Sequence, residues 1–512
     1  MIPEKSATKI ASTPVIYFIL GLILAAAAGL YIYLASLHEP IVDEAVYNRA
    51  ARKILNGDWL LEKTRANKPF MIYYLLALER YLFGATPLAG RIHGILATLT
   101  IIIILFRITH RFFGARPALI TAFLIAFSPF VLQHFPRGTT DSLALALVLG
   151  AAACALGNKI GLAGLLFALA FCTRQMAVWS LPLILAFAWL AGRRDAPHPS
   201  PNRQLLSIVR RLACGMLVPL GLLILWSMRQ HPPFTWAFGE MSQSKYHTGR
   251  HLLLPFIAKL RFWIETSYSF FAATPLTLAA LLMTPVSCLL LLAAWRKRKW
   301  AVEKDFPLAL LAVVECFILY FYTLHSVWFF TMYPRFLMPV LPWLVMSFAA
   351  NLSWLERIPG SLFPPLTRPL AAAFYALLGG LTIYGATAFI IDYRRPAPED
   401  DVPRAVQWIV QYGAPRAMLI TEHNQAELAN AASDTGLRYA DYDRQPFMLN
   451  KLLQDAAKQP TYLYLDQNEI PHHLGVIRLL RAKHLFLSPV ADKIMCAGRL
   501  YLISRKDEQQ TE

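Results

Sequence analysis

The chain has 512 residues, of which 56% are hydrophobic and only 16% charged, and its mean hydropathy is +0.44. Those values exclude an ordinary soluble protein and point to an all-α polytopic membrane protein. The formal net charge of +18 lies largely in short loops between apolar runs, where it speaks for membrane orientation and anionic headgroups; no basic, aromatic-interleaved segment supports a nucleic-acid partner. The six cysteines form no CxxC pair, which argues against a metal cluster or a disulfide framework.

The apolar runs, in chain order, are Pro14–Leu37, Leu88–Phe106, Pro117–Leu132, Ser142–Leu156, Ile160–Phe171, Met176–Leu190, Ala213–Trp226, Ala272–Trp295, Phe306–Tyr322, Phe336–Ala350 and Pro369–Ile391. They predict about eleven transmembrane helices, with thirteen as the upper count. The first is too long for a signal-peptide core and has no clear cleavage site, so it reads as a retained span. The fifth and sixth are short and read either as one bent hairpin or as two tilted helices. Arg107, Arg111 and Arg116 follow the second run, Lys159 the fourth, Arg193, Arg194, Arg203, Arg210 and Arg211 the sixth, and Arg296–Lys299 the eighth. All fall on one side if the N-terminus, with Lys5 and Lys9, is cytoplasmic. The outer side then receives 38–87, Gln133–Asp141, Gln230–Phe271, His325–Arg335 and everything after Tyr393.

The first outer loop, 38–87, is charged although it lies between apolar runs. Ala45–Leu55 places apolar and small residues at helical spacing, with Arg49, Arg52 and Lys53 on the other side, and predicts a helix on the membrane surface. Asn56-Gly57-Asp58 ends it. Phe70–Phe83, preceded by Pro69, predicts a second such helix. Residues 1–393 therefore read as the membrane domain. Residues 394–403, RRPAPEDDVP, read as a linker, and residues 404–512 as a small outer-side α/β domain. Its predicted runs are Arg404–Tyr412, Ala417–Thr421, Gln425–Ala432, Phe447–Ala457, Thr461–Leu465, Gly475–Arg481, His484–Leu487 and Leu500–Ser504. It carries no GxGxxG or GxxxxGK[ST] loop, and a scaffold or acceptor-recognition role suits it better than catalysis.

Carboxylates and cations that return to one membrane face suit group transfer from a lipid phosphate. That chemistry needs a base for the acceptor hydroxyl and cations for the departing phosphate. Asp43 can be the base; alternatively Asp43 and Glu44 simply favour the N-terminus of their helix. Lys68 can meet phosphate as a point charge, or snorkel to the interface. Arg137 and Asp141, in HFPRGTTDS, form a second outer cluster, in which Asp141 could equally cap the fourth span. Arg174, in CTRQM, lies at the outer end of the fifth span, where an arginine usually has a partner or a function. Lys245, Tyr246, His247, Arg250 and His251 make a basic, aromatic outer loop. Arg335, beside Tyr333 in YPRFLMPVLP, stands at the mouth of the tenth span. No HExxH or paired metal-ligand spacing appears, so a divalent metal is not argued from motif.

In combination these segments resemble a known family. VDEAVYNRAARKILNGDW, NKPFMIYYLLALERYLFG, TPLAGRIHG, PRGTTDSLAL, LAFCTRQM and PRFLMPVLPWL occur in the order seen in GT-C fold glycosyltransferases. The nearest are the protein O-mannosyltransferase-like and aminoarabinose lipid A transferase-like enzymes. The resemblance spans roughly residues 10–390. It implies a GT-C fold and inverting transfer of a sugar from a polyprenyl-phosphate donor to a lipid A-type glycolipid or a protein, at the outer face of a bacterial inner membrane. By position, Asp43 matches the catalytic aspartate, Lys68 the phosphate-contacting lysine and Asp141 the second-loop aspartate. Arg137, Arg174, Lys245 and Arg335 fall among the donor-phosphate cations, and Glu44, Tyr47 and Tyr333 among the donor or acceptor contacts. The chain departs from the pattern at Asn67, where a metal-binding glutamate is frequent, and at Phe70, Val46 and Phe336. The departure at Asn67 leaves a divalent metal open. Two other readings compete: a transporter of lipid-linked sugars, for which Glu315 is the one clear mid-span carboxylate, and a catalytically degenerate scaffold.

Overall fold

The computed structural model describes residues 13–37, 43–62, 66, 68–84, 86–195, 200–230, 233–234, 306–328, 334–355, 364–394, 401–413, 417–421, 437–441, 460–466, 480, 485–490 and 498–505. It divides into two compact units. The first comprises Met1–Ala35, Asp58–Leu75 and Arg91–Ile390; the second comprises Ser36–Gly57, Leu76–Gly90 and Ile391–Glu512.

The first unit is helical. Its elements are α1 (Thr13–Leu37), α4 (Ile92–Phe113), α5 (Ala115–Phe127), α6 (Pro129–His134), α7 (Thr140–Leu156), α8 (Ile160–Thr173), α9 (Leu181–Asp195), α10 (Pro201–Arg229), α11 (Phe306–Trp328), α12 (Leu341–Leu355) and α13 (Pro364–Tyr393). Among the described residues, five helices are long and apolar enough to cross a membrane, and five shorter apolar helices accompany them. Every predicted apolar run but one falls largely on helix; Ala272–Trp295 lies outside the described residues.

Several boundaries differ from the sequence expectation, each for a local reason. α4 continues to Phe113, carrying Arg107 and Arg111 within the helix, and stops only at Gly114, whose φ of +96° permits the turn into α5. Pro117–Leu132 is not one helix. Ser128 is extended at φ −61°, ψ 128°, as the residue before a proline tends to be, and Pro129 starts the separate α6. α10 begins at Pro201, not Ala213, so Arg203, Arg210 and Arg211 lie on its first turns and not in a loop. α12 begins at Leu341, not Phe336. Pro334–Leu337 forms a 3-10 turn before it, and Pro342 occupies the first helical turn.

Helices approach closely where glycine permits it. A Cβ on Gly164 of α8 would collide with the Leu212 carbonyl of α10, and one on Gly215 with the Gly161 carbonyl. The α1 end is held by Tyr31, whose hydroxyl donates to the Ala126 carbonyl at 2.9 Å, and by Arg91, which donates to the Ala35 carbonyl at 2.7 Å. Glu315 is fully buried on α11. Its carboxylate accepts hydrogen bonds from the Ser347 hydroxyl and, at 3.4 Å, from the Asn351 amide, both on α12.

The second unit holds α2 (Asp43–Leu55), the later turns of α3 (Met71–Phe83), α14 (Asp401–Tyr412) and a five-stranded sheet. α2 buries Glu44 and Asn48 as well as Ala45, Tyr47, Ala50, Ala51 and Ile54, so it is more deeply enclosed than a helix resting on a surface by one apolar stripe. It ends as expected at Gly57, with φ +97° and its N–H on the Ile54 carbonyl. Asn48 accepts from Arg80 Nε at 3.2 Å and closes on Gly90, where a Cβ would lie 3.0 Å from Asn48 Oδ1.

The sheet comprises β1 (Met418–Thr421), β2 (Arg438–Asp441), β3 (Thr461–Asp466), β4 (Leu485–Pro489) and β5 (Gly498–Arg505), in the order β2-β1-β3-β5-β4. β1 pairs in parallel with β2 and β3, while β5 is antiparallel to β3 and β4. Ala405, Val406 and Ile409 of α14 pack on Leu419, Tyr462, Tyr464 and Leu500, which covers one face of the sheet. α14 starts three residues before the expected Arg404, with Pro403 in its first turn. β2 was absent from the sequence expectation. The predicted runs at 425–432 and 447–457 lie outside the described residues, as does all of 475–481 except Leu480.

Candidate active site

The site is built where α7, α8 and the turn before α12 meet. α8 ends at Thr173, and the Arg174 N–H bonds back to the Ala170 carbonyl while Arg174 itself turns extended at φ −151°, ψ 121°. That break releases the side chain from the helix. Its Nη1 lies 2.8 Å from Asp141 Oδ1 and donates to Thr140 Oγ1 at 2.9 Å, both in the first turn of α7. Both partners of the ion pair are buried, with side-chain exposures of 8% and 6%, so the attraction is little screened by water.

Phe336 brings in a second cation. Its ring centre lies 5.7 Å from the Arg174 guanidinium carbon and 6.0 Å from that of Arg335. One aromatic ring thus serves two arginines from distant segments. A cavity opens beside them, lined by Asp141, Arg174, Arg335 and Phe336 at its polar side and by apolar residues that include Leu145, Val148, Met176 and Phe321. Two guanidiniums and one carboxylate at the side of an apolar cavity suit a ligand with an anionic head and a hydrocarbon body.

The loop carrying Arg137 is fixed by α4. His93 Nε2 lies 3.3 Å from the Thr139 carbonyl, and Gly94 admits the Arg137 and Phe135 carbonyls where a Cβ would collide. His134, ahead of this loop, packs its ring on Phe130 at 4.7 Å. Burial pulls its pKa down to about 3, and the nearby charges of Arg137 and Arg335 add to the shift. The imidazole is neutral at physiological pH. It was not among the residues singled out from the sequence, although HFPR places it three residues before Arg137.

The remaining expected residues have the following environments. Lys68 is buried in the first unit, its backbone N–H bonded to the Tyr73 hydroxyl at 3.0 Å. Asp43 is half-buried in the first turn of α2, in the second unit, and Glu44 and Tyr47 are buried on the same helix. Lys245 and Tyr333 lie outside the described residues, as does Asn67. Among the described residues no cluster of three His, Cys, Asp or Glu side chains could hold a metal ion.

Residues 67–209, which include Lys68, Arg137, Asp141 and Arg174, match the family model of dolichyl-phosphate-mannose-protein mannosyltransferase. No curated protein matches the sequence. Solved structures match along almost the whole chain. ArnT from Cupriavidus metallidurans bound to undecaprenyl phosphate is 15% identical, with 96% of this chain and 98% of that one covered and a TM-score of 0.62. Its apo state gives 14% identity, coverage of 94% and 97%, and a TM-score of 0.57. The oligosaccharyltransferase AglB of Archaeoglobus fulgidus, in complex with an inhibitory peptide and a dolichol-phosphate, is 13% identical, covers 94% and 74%, and has a TM-score of 0.51. The chain has the GT-C glycosyltransferase fold. Within that fold, the Arg174–Asp141 pair lies at the junction of helices α7 and α8, inside the family-matched segment, while Phe321, Arg335 and Phe336 of the cavity lie beyond it.

Proposed function

We propose that the protein is an inverting membrane glycosyltransferase. It takes a sugar from a polyprenyl-phosphate donor and passes it to a hydroxyl on a glycolipid or protein at the outer face of the membrane. The observation that carries this reading is the pair of guanidiniums, Arg174 and Arg335, held over one phenylalanine at the side of an apolar cavity. A phosphate needs the cations and a polyprenyl chain needs the apolar wall. The fold likeness to an ArnT structure that holds undecaprenyl phosphate supports the same donor class.

In this mechanism Asp43 takes the proton from the acceptor hydroxyl as that oxygen attacks the anomeric carbon. The bond from that carbon to the phosphate oxygen breaks, and the charge left on the phosphate is stabilised by Lys68, Arg174, Arg335 and Lys245, with Arg137 nearby in the second outer loop. Asp141 positions Arg174. Glu44, Tyr47 and Tyr333 contact donor or acceptor. The N-terminus is cytoplasmic, residues 404–512 form a periplasmic α/β domain after the 394–403 linker, and the membrane is the bacterial inner membrane.

The test is thermal unfolding of the purified protein with and without polyprenyl phosphate, the product common to every donor of this class. The wild type gains several degrees, and Arg174→Gln combined with Arg335→Gln abolishes the gain. Absence of a shift in the wild type contradicts the reading.

A further inference from the structure

The opposite ends of the same helices carry a second arrangement of arginines. Phe306, at the start of α11, lies fifteen residues before Phe321 of the cavity, or about 22 Å along the helix. Arg194, at the end of α9, is separated from Ser180 of the cavity by nearly the whole of that helix. Arg111 belongs to the last turn of α4, whose first turns hold the Arg137 loop.

Aromatic rings link these residues. The Arg111 guanidinium lies 5.3 Å from the Phe112 ring centre. Phe112 meets Phe306 with centroids 5.1 Å apart. On the far side, the Arg194 guanidinium lies 5.1 Å from the Phe306 ring. Beside it, Arg193 packs over Trp189 at 5.3 Å, and its Nε is buried with no hydrogen-bond partner among the described residues. Three helices thus contribute three guanidiniums and three aromatic rings to one end of the bundle.

A guanidinium packed by its face can still offer its in-plane N–H fork to a phosphate. Phenylalanine and tryptophan beside it suit the glycerol and acyl portion of a lipid at the membrane boundary. A zwitterionic headgroup fits poorly, because its own ammonium would be repelled by three arginines.

We propose that Arg111, Arg193 and Arg194, with Phe112 and Phe306, bind the headgroup of an anionic phospholipid of the inner leaflet, at the end of the bundle away from the candidate active site. The choice of leaflet rests on the topology given under Proposed function; the binding chemistry does not. The bound lipid ties α4, α9 and α11 together at that end.

The full-length protein, purified in mild detergent, is exposed to an equimolar mixture of phosphatidylglycerol and phosphatidylcholine, and retained lipid is read by native mass spectrometry. The wild type retains phosphatidylglycerol selectively. Arg111→Gln combined with Arg194→Gln lowers that retention about tenfold or more, while Arg107→Gln, on α4 but outside the ladder, leaves it unchanged. The unfolding midpoint in detergent alone reports whether the double variant folds. If it does not, exposed Arg111→Gln by itself carries the test with the same direction of loss. Equal retention by wild type and variant, or no preference between the two lipids, overturns the proposal. The readout involves no donor and no sugar transfer, so it succeeds or fails independently of the glycosyltransferase reading.

Discussion

Asp43 and Asp141 occupy the same local position, each in the first turn of a helix, yet their surroundings differ. Asp141 is buried and held 2.8 Å from Arg174, with Thr140 on the same guanidinium. Asp43 is only half-buried, on a helix of the second unit. The Asp141 carboxylate is thus already engaged in holding the Arg174 side chain. The favourable field of a helix N-terminus acts on both aspartates, so it cannot distinguish them. What distinguishes them is the depth of burial. The proposed mechanism accordingly gives Asp43 the base role and Asp141 the positioning of Arg174.

The largest expected effect is on chemistry at Asp43. Asp43→Asn keeps the side chain's size and removes its basicity, and it lowers the transfer rate by roughly 10²–10⁴-fold, read by mass spectrometry of products. The comparison breaks if Asp141→Asn causes the greater kinetic loss while its donor affinity and unfolding midpoint stay at wild-type values.

Next comes stability. Asp141→Ala leaves the buried Arg174 without its carboxylate and should cost about 3–5 kcal/mol, visible as a lower unfolding midpoint in detergent. Adding Arg174→Leu should recover much of that loss, because the unpaired charge is then gone. A double variant no more stable than Asp141→Ala would mean that the pair contributes through other contacts.

The pH dependence sharpens the picture of the second outer loop. The pKa of His134 is lower in the folded state, about 3, than its ordinary value near 6.5. The unfolded chain therefore binds a proton at His134 first as pH falls. The stability this residue contributes is present above pH 6.5 and is lost as pH drops from there towards 3, by up to about 1.4 kcal/mol per pH unit. His134→Gln should flatten that part of the unfolding-versus-pH curve. An unchanged curve would remove His134 from the cationic cluster.

The smallest effect is at Phe336. Phe336→Leu keeps an apolar side chain but removes the ring shared by Arg174 and Arg335. The expected weakening of polyprenyl-phosphate binding is about 0.5–2 kcal/mol, measured by titrating the thermal shift.

The sequence was most readable where one rule acted over many residues. Apolar runs located the described membrane helices, and the acidic start and glycine stop of α2 located that helix to within two residues. Boundaries went astray where basic side chains continue a helix beyond its apolar part, as at Arg107 and Arg111 in α4 and at Arg203 in α10. Those long side chains reach the interface from helical positions, so a loop is not required to place the charge. β2 was missed because RYAD is too short to show a period. The Asp141–Arg174 pair joins residues 33 apart in sequence, and the double stacking on Phe336 joins α8 to the turn before α12. No local spacing encodes such contacts. Phe336 stood out from the sequence as a departure from the family pattern; its ring proves to be the surface that both arginines share.

The most direct measurement is sugar transfer from a panel of polyprenyl-phosphate donors, run with wild type, Asp43→Asn and Asp141→Asn reconstituted in the same membranes. The account predicts a product with the wild type, none above background with Asp43→Asn, and a reduced but measurable amount with Asp141→Asn. Transfer by Asp43→Asn at the wild-type rate would contradict it.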